Sequence, residues 1–481
     1  MSNSTSLVSP SADFSEWYND IVYRADLADQ SPVRGCVVLK PYGFELWDGL
    51  KNALDKRFKA TGHQNAYFPL FIPMSFLTRE AEHVEGFSPE LAIVTIGGGK
   101  ELEEPLVVRP TSETVIGDAF ARWIQSYRDL PLLINQWSNV VRWEMRTRPF
   151  LRTAEFLWQE GHTAHATHDE AQAETMQMLD VYADVAMNEA AVPVIRGQKS
   201  NKERFAGALR TYTIEAMMGD KKALQAGTSH NLGQNFAKAF NIQYLDVNNQ
   251  QQHCWTTSWG MSWRMVGAII MTHGDEKGLR LPPRLAPYQV VVVPIAKTDE
   301  ERSLVLDAAQ QIRRELSDAG VRVHVDLREG LTPGFKFNDW EMRGVPVRLE
   351  LGPRDVAAGQ VVAARRDMPG KEGKQTFTRD HLVAQIAALL DAVQAGLYAQ
   401  AEAFRNANIV DVRSYDELKA VVEAGGFARG WWGGSDDDEL RIKAETGATH
   451  RCYPLEPQTD AAPCFFTGAA EAREAIFAKA Y

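Results

Sequence analysis

Arg109-Pro-Thr-Ser-Glu113, Arg142-Trp-Glu144 and Phe156-Leu-Trp-Gln-Glu-Gly-His162 fall within one stretch of a 481-residue chain, and how that stretch folds sets the architecture. Residues 106–109 read as a short strand, 113–127 as a helix, 132–144 as strands and 168–189 as a helix. Runs of strands closed by helices, without a regular strand–helix–strand alternation, favour an antiparallel α+β domain. Alternate residues of an extended chain share a face, so Arg142 and Glu144 project together. Arginine's planar fork matches phosphate or carboxylate oxygens two at a time. With Arg152 following, the stretch suits a ligand that carries both phosphate charge and a purine.

On the N-terminal side, 13–27 reads as a short amphipathic segment. Residues 42–61 read as a long helix with Phe44, Leu46, Leu50, Leu54 and Phe58 at helical spacing. Residues 65–73 follow as an extended apolar run that Pro69 and Pro73 confine to a sheet edge or an irregular crossing. A helix feeding such a strand suits a dimer interface, and an ordinary packing unit equally. On the C-terminal side, Pro282-Pro-Arg-Leu-Ala-Pro287 marks a stiff boundary. Beyond it strands are expected over 288–295, 321–327, 345–351 and 361–365, and helices over 300–319, 335–343 and 381–395, a compact α/β domain. The last segment reads as a helix over 410–425, a tryptophan-glycine-aspartate patch, and a terminal helix reaching Tyr481.

With 44% hydrophobic and 24% charged residues the chain belongs to the soluble globular class and is long enough for several domains. The start has no basic-apolar leader pattern and no run of about 20 apolar residues is present, so a cytoplasmic protein without membrane partners is expected. Cys36, Cys254, Cys452 and Cys464 are too few and too scattered for a disulfide framework and read as reduced thiols. A net charge of −11 argues against coating nucleic acid nonspecifically, while leaving room for a local RNA-docking surface.

Trp255-Thr-Thr-Ser-Trp-Gly-Met-Ser-Trp-Arg264 runs as a strand through Gly260 into an apolar helix that carries Arg264 near its start. Such a turn lets backbone N–H groups and an arginine converge on polyphosphate. Taken alone, Arg264 reads equally well as the cap of a buried helix. Together with Arg142-Trp-Glu144, it resembles the third signature motif of class II aminoacyl-tRNA synthetases, with Arg142-Trp-Glu144 similar to the second and the 42–69 helix–strand to the first. Arg109-Pro-Thr111-Ser-Glu113, Phe156–His162 and Gly227-Thr228-Ser-His230-Asn-Leu-Gly-Gln-Asn-Phe236 closely resemble the prolyl-tRNA synthetase family of archaeal and eukaryotic type, from about residue 15 onward.

The resemblance implies an α+β class II catalytic domain with an antiparallel sheet (1–285), an α/β anticodon-binding domain (286–398) and a small α+β C-terminal domain (399–481). It implies a homodimer that activates proline with ATP and Mg²⁺, then transfers the prolyl group to tRNA(Pro). Arg142 and Arg264 would be the catalytic arginines. Arg142, Glu144, Arg152, Gln225, Thr228, Ser262 and Arg264 would bind ATP. Thr111, Glu113, Arg142, Trp158, Glu160, His162 and His230 would bind proline. In the anticodon domain, Glu341, Arg348, Glu350 and Arg354 suit the guanine edges of a proline anticodon, or form an ordinary solvated charged face.

A pocket sized for proline rejects alanine and cysteine weakly, because a missing methylene is worth about 1–3 kcal/mol. The segment between His162 and Gly227 leaves no room for an inserted hydrolytic domain, so misactivation without editing in cis is expected. Relatives often hold zinc on four C-terminal cysteines. Here Cys452 and Cys464 cannot close a tetrahedral site, so no structural zinc is expected, with Trp431, Trp432, Phe465 and Phe466 packing in its place. Tyr481 matches the family's terminal tyrosine, which implies that this end lies against the catalytic domain. The alternatives are a noncatalytic synthetase-like regulator, which would lack Arg142, Glu144 or Arg264, and a class II synthetase for threonine, serine or glycine.

Overall fold

A computed structural model describes residues 7–80 and 91–481. Its backbone is organised by an 11-stranded sheet, in the order Ile409–Asp411, Phe427–Trp432, Arg473–Ala478, Thr449–Pro454, Val194–Gln198, Arg210–Met217, Ala223–Gly233, Trp255–Ser262, Glu155–His165, Leu132–Val141 and Gln64–Asn65. Pairing is antiparallel throughout except at the two edges. The Pro-marked run 65–73 supplies edge strands, as proline's missing donor requires: Gln64–Asn65 here and Phe71–Pro73 on a separate three-stranded sheet.

Helices Pro41–Ala60, His168–Asp184 and Arg264–His273 bury apolar stripes on the large sheet. The expected stripe of the first helix holds at Leu46, Leu50, Leu54 and Phe58, whereas Phe44 is half exposed. His168–Asp184 starts on a reciprocal cap in which Thr167 accepts from Glu170 N while the Glu170 side chain turns back to Thr167. Phe58, Tyr182 and Trp259 meet at the centre of the core. Trp259 lies opposite Gly161 in the adjacent strand, and a Cβ at Gly161 would come 2.1 Å from the indole, so only glycine fits there.

Residues 288–398 contain a five-stranded sheet, three strands parallel and two antiparallel, backed by Asp299–Asp318 and Leu382–Ala407. Its last strand, Lys374–Thr378, is additional to the expected set. Leu382–Ala407 extends well past the expected end at 395. The helical run 379–407 is long and apolar enough to cross a membrane, but Leu382, Ile386, Leu389, Leu390, Val393 and Leu397 are buried in the domain's own core. The proline-rich boundary is held rigidly, since Arg322 donates to the carbonyls of Pro283, Arg284 and Ala286. Asp275 and Arg366 add a bidentate ion pair across the junction, at 2.7 and 2.5 Å.

The C-terminal segment departs most from expectation. The expected helix over 410–425 begins as strand Ile409–Asp411 and becomes helical only from Tyr415, after the cap Ser414. The expected terminal helix is strand Arg473–Ala478, inserted between two others; cross-strand pairing and burial override the helix propensity of its alanines and glutamates. Thr449–Pro454 joins this region to strand Val194–Gln198 of the large sheet at Tyr453 and Pro454, where Cys452 packs onto Gly197 so closely that a Cβ there would lie 2.5 Å away. Tyr481 docks beside strand Ala223–Gly233 of the large sheet through its hydroxyl to Asp220, 2.7 Å, and its N–H to the Ala223 carbonyl, 3.1 Å.

Trp432, Phe465 and Phe466 pack together as expected, at ring separations of 5.6 and 5.7 Å from Trp432. Trp431 does not join them. Neighbouring residues of a strand face opposite ways, and its indole N–H donates instead to Thr459, 3.0 Å. All four cysteines are free thiols. Among the described residues no group of three or more His, Cys, Asp or Glu side chains is arranged to hold a metal ion.

Candidate functional site

Two cavities open side by side on the large sheet, about 230 and 240 Å³ in volume, and Arg142 lines both. The first is walled by Trp158, Glu160 and His162, which share a face because they alternate along one strand. Thr111 and Glu113 reach it from the start of helix Glu113–Trp123, which ends four residues before the expected limit of 127. Gln225, Thr228 and His230 reach it from Ala223–Gly233. Strict alternation would separate Gln225 from Thr228, but Glu215 pairs with Gln225 while Ile214 pairs with Gly227, leaving Ala226 as a bulge that returns both to one side.

Glu160 is the fixed anion of this wall. It is buried and accepts from Ser112 N and Oγ, from Gln136 Nε2 at 2.9 Å, and faces His162 Nε2 at 2.9 Å. Burial alone would raise its carboxyl, but the His162 contact and the hydroxyl and amide donors prevail and hold it below the usual range. Burial would lower His162, yet Glu160 and then Glu113 keep it above its ordinary value. His230 behaves oppositely: burial and the neighbouring His162 push it down to about 3, so it stays neutral. Its Nδ1 lies 2.9 Å from Thr211 Oγ1, which also accepts from Phe205 N at 3.0 Å, and the Phe205 ring tilts onto the imidazole at 4.7 Å. Thr111 donates to the Glu113 carboxylate.

The second cavity gathers Glu144, Arg152, Ser262 and Arg264 around Arg142, with Phe150, Phe156 and Trp263 as apolar walls. Arg142 donates Nε to the Pro110 carbonyl, 3.0 Å, and stacks 5.5 Å from both Phe156 and Trp158. Arg152 reaches Glu144 at 3.5 Å. Arg264 opens its helix, its N–H donating to Ser262 Oγ and its Nε to the Leu151 carbonyl, both 3.2 Å. Burial, then the cations Arg152 and Arg142, bring the Arg264 guanidinium down to about 10. Three arginines gathered around one cavity, two of them disfavouring the charge of Arg264, form a site that a polyanion relieves.

The seven residues expected for proline thus all line the first cavity. Of those expected for ATP, Arg142, Glu144, Arg152, Ser262 and Arg264 line the second, while Gln225 and Thr228 line the first. Glu203, Phe205, Thr211 and Ser258 also line the first and were not anticipated. Arg109, the head of the opening motif, lines neither cavity: its buried guanidinium is spent on the carbonyls of Phe68 and Asn139 and on the Asn139 side chain.

In the domain over 288–398 Arg348 bridges Glu350 at 2.9 Å and Glu341 at 3.2 Å, over the Phe337 ring at 4.1 Å. Lys374 adds a contact to Glu350 at 2.9 Å. Arg354 stands apart on the exposed start of helix Pro353–Ala357 and joins none of these ion pairs.

Residues 94–273 match the tRNA synthetase class II core domain (G, H, P, S and T), 289–389 the anticodon binding domain, and 415–481 the prolyl-tRNA synthetase C-terminal domain. The chain is 58% identical over 474 residues to the chloroplastic/mitochondrial proline–tRNA ligase of Arabidopsis thaliana, covering 98% of this chain and 87% of that protein. It is 59% identical over 471 residues to the proline–tRNA ligase of Roseiflexus castenholzii, covering 98% of each. With the proline–tRNA ligase of Bacteroides fragilis the identity is 52% over 493 residues, covering 99% of each.

Proposed function

The chain belongs to the prolyl-tRNA synthetases of archaeal and eukaryotic type, in class II, and on that premise we propose a division of labour between its two cavities. As a proline–tRNA ligase it takes ATP, proline and tRNA(Pro). The first cavity receives proline and the second the nucleotide. The observation that carries this reading is the guanidinium of Arg142, which lines both, so one fork can span the proline carboxylate and the α-phosphate at which they react.

Glu113, with Thr111 behind it, accepts from the substrate's NH₂⁺. Trp158 and the buried Glu160–His162 pair shape the ring pocket, and neutral His230 offers a ring nitrogen to it. The proline carboxylate attacks the α-phosphorus and pyrophosphate leaves. The 3′-hydroxyl of the tRNA then attacks the carbonyl carbon of the prolyl-adenylate and AMP leaves. Both steps move negative charge between oxygens, so fixed donors and positioning provide most of the acceleration. Glu144 holds the adenine amino group, Arg142 and Arg152 the phosphates, and Arg264 the purine face and outer phosphate. Gln225, Thr228 and Ser262 complete the nucleotide's contacts from the two cavities. Among the described residues Glu144 is the single carboxylate lining the second cavity, a donor set that would suit a Mg²⁺ brought in by the nucleotide rather than one held by the protein alone. When bound, that ion neutralises phosphate charge.

The working units are 1–285 for chemistry, 286–398 for the anticodon and 399–481 as a C-terminal support. Glu341, Arg348, Glu350 and Arg354 are the anticodon candidates. A homodimer is favoured by the apolar side chains left exposed on the small sheet and its approach, Tyr67, Phe71, Ile93 and Ile96. Cysteine and alanine are activated as well, without editing in cis: helix His168–Asp184 and strands Val194–Gln198 and Arg210–Met217 already occupy the segment where an insertion would lie. Pyrophosphate exchange with proline, cysteine, alanine, threonine, serine and glycine tests the whole reading. Proline should dominate; dominance by another amino acid reassigns the pocket, and no exchange with any of them makes the chain a noncatalytic relative.

A further inference from the structure

The turn that brings Glu203 and Phe205 to the first cavity is tied at its root to the C-terminal domain. Ser200 Oγ donates to Glu439 Oε2 at 2.8 Å and accepts from Glu203 N at 3.3 Å, so one hydroxyl links Glu439 to the backbone of a cavity-lining residue. Glu439 is 7% exposed and lies in the first turn of helix Asp436–Thr446, a helix fixed by the Ser435–Asp438 cap. Beside Ser200, Lys199 N donates to the Thr211 carbonyl at 2.9 Å, and Lys199 Nζ reaches Glu215 at 2.8 Å. Glu215 is clasped in turn by Arg451, another C-terminal residue, at 3.0 and 2.8 Å. At the far end of the turn Phe205 is held by Thr211 and lies on His230.

We propose that Glu439 is a positioning residue for the first cavity, acting through Ser200 to hold the 200–207 turn, and with it Glu203 and Phe205, at the wall of the amino-acid pocket. The inference rests on the reading that this cavity takes proline. The geometry asks Glu439 for an acceptor oxygen only. Burial raises its carboxyl to about 7, opposed by Ser200 and reinforced by Glu203 and Asp436, so a charged form is not what the bond depends on. A glutamine supplies the same acceptor without the charge. The support belongs to substrate binding rather than to chemistry, because the turn it holds gives Glu203 and Phe205 to the lining of the first cavity and no residue to that of the second.

The full-length protein tests this by pyrophosphate exchange. Glu439→Ala should raise the KM for proline about tenfold, the effect of one lost hydrogen bond, and leave the KM for ATP and kcat within about twofold. Glu439→Gln should restore the proline KM, and Ser200→Ala should reproduce the loss from the other side of the bond if Glu439→Ala fails to fold. Amide hydrogen exchange over 200–207 should quicken in Glu439→Ala and not in Glu439→Gln. An unchanged proline KM with unchanged exchange in a folded Glu439→Ala or Ser200→Ala protein overturns the proposal, as does failure of glutamine to rescue. If the wild-type protein shows no proline-dependent pyrophosphate exchange, the pocket assignment has failed, and the amide exchange alone decides whether Glu439 holds the turn.

Discussion

Glu160 Oε2 and His162 Nε2 stand 2.9 Å apart in the wall of the first cavity, both side chains almost fully buried. Their shifts run in opposite directions, and both follow from the contact. Glu160, held below its ordinary value, contributes stability that is present above the unfolded-state pKa near 4.5 and is lost as pH falls through its depressed folded value. His162, held above 6.5, contributes stability that is full below 6.5 and is lost as pH rises through its raised folded value. The pair is therefore at full strength between about pH 4.5 and 6.5. Glu160→Gln should cost roughly 1–3 kcal/mol, the range for a buried partner left unmatched, with the largest gap from wild type inside that window. Thermal melts of both proteins from pH 4 to pH 9 check this; a gap that does not vary with pH would show that the imidazole is neutral throughout.

Arg142→Ala removes the one side chain that, among the described residues, is common to the two cavities. Pyrophosphate exchange should fall by at least about 10²–10³, the usual loss for a donor aimed at developing charge. Binding of tRNA(Pro), measured by filter retention, should persist because the proposed anticodon contacts lie in another domain. Loss of both activities together would assign Arg142 a folding role instead.

Arg264 is a partly buried cation whose guanidinium is brought down to about 10 by burial first and then by the neighbouring Arg152 and Arg142. An anion entering the second cavity should relieve that repulsion. Pyrophosphate is expected to raise the melting temperature of wild type, by the equivalent of about 2.7 kcal/mol at a hundred times its Kd. Arg264→Ala should stabilise the free protein's cation cluster and abolish most of the ligand-induced rise. Equal shifts in both proteins would move the phosphate site elsewhere.

Much of the site could be read from the chain because its chemistry follows simple periods. Trp158, Glu160 and His162 alternate in a strand, and alternation alone puts them on one side. Arg142 and Glu144, by contrast, lie just past strand Leu132–Val141, which stops short of the expected limit at 144, and share the second cavity from irregular backbone. Gln225 and Thr228 escape that logic: they share a cavity through the bulge at Ala226, and nothing local marks a bulge in a run of small residues. Thr211 looks like any buried strand threonine, and its role appears only once Phe205 and His230 arrive from other parts of the chain. Arg473–Ala478 has the composition of a helix and is made a strand by the neighbours it pairs with. The link from Ser200 to Glu439 spans 239 positions, beyond any spacing rule.

The C-terminal domain should be stable without metal. Trp432 packs against Phe465, Phe466 and Phe477, and Cys464 lies buried beside them. Apolar burial of this kind replaces a metal's cross-link by area removed from water, so its removal should show as a cavity cost. Trp432→Ala should destabilise by about 3–5 kcal/mol, the range for deleting a buried aromatic. The effect should not stay local. Thr449–Pro454 continues the catalytic sheet beside Val194–Gln198, and Arg451 clasps Glu215 from the same strand, so loosening this core should also weaken proline binding. A metal chelator, by contrast, should leave the wild-type melt and activity unchanged, and elemental analysis should find no stoichiometric zinc. Zinc at one atom per chain, or a melt that collapses on chelation, would mean that ligands outside the Trp432 cluster hold the domain together.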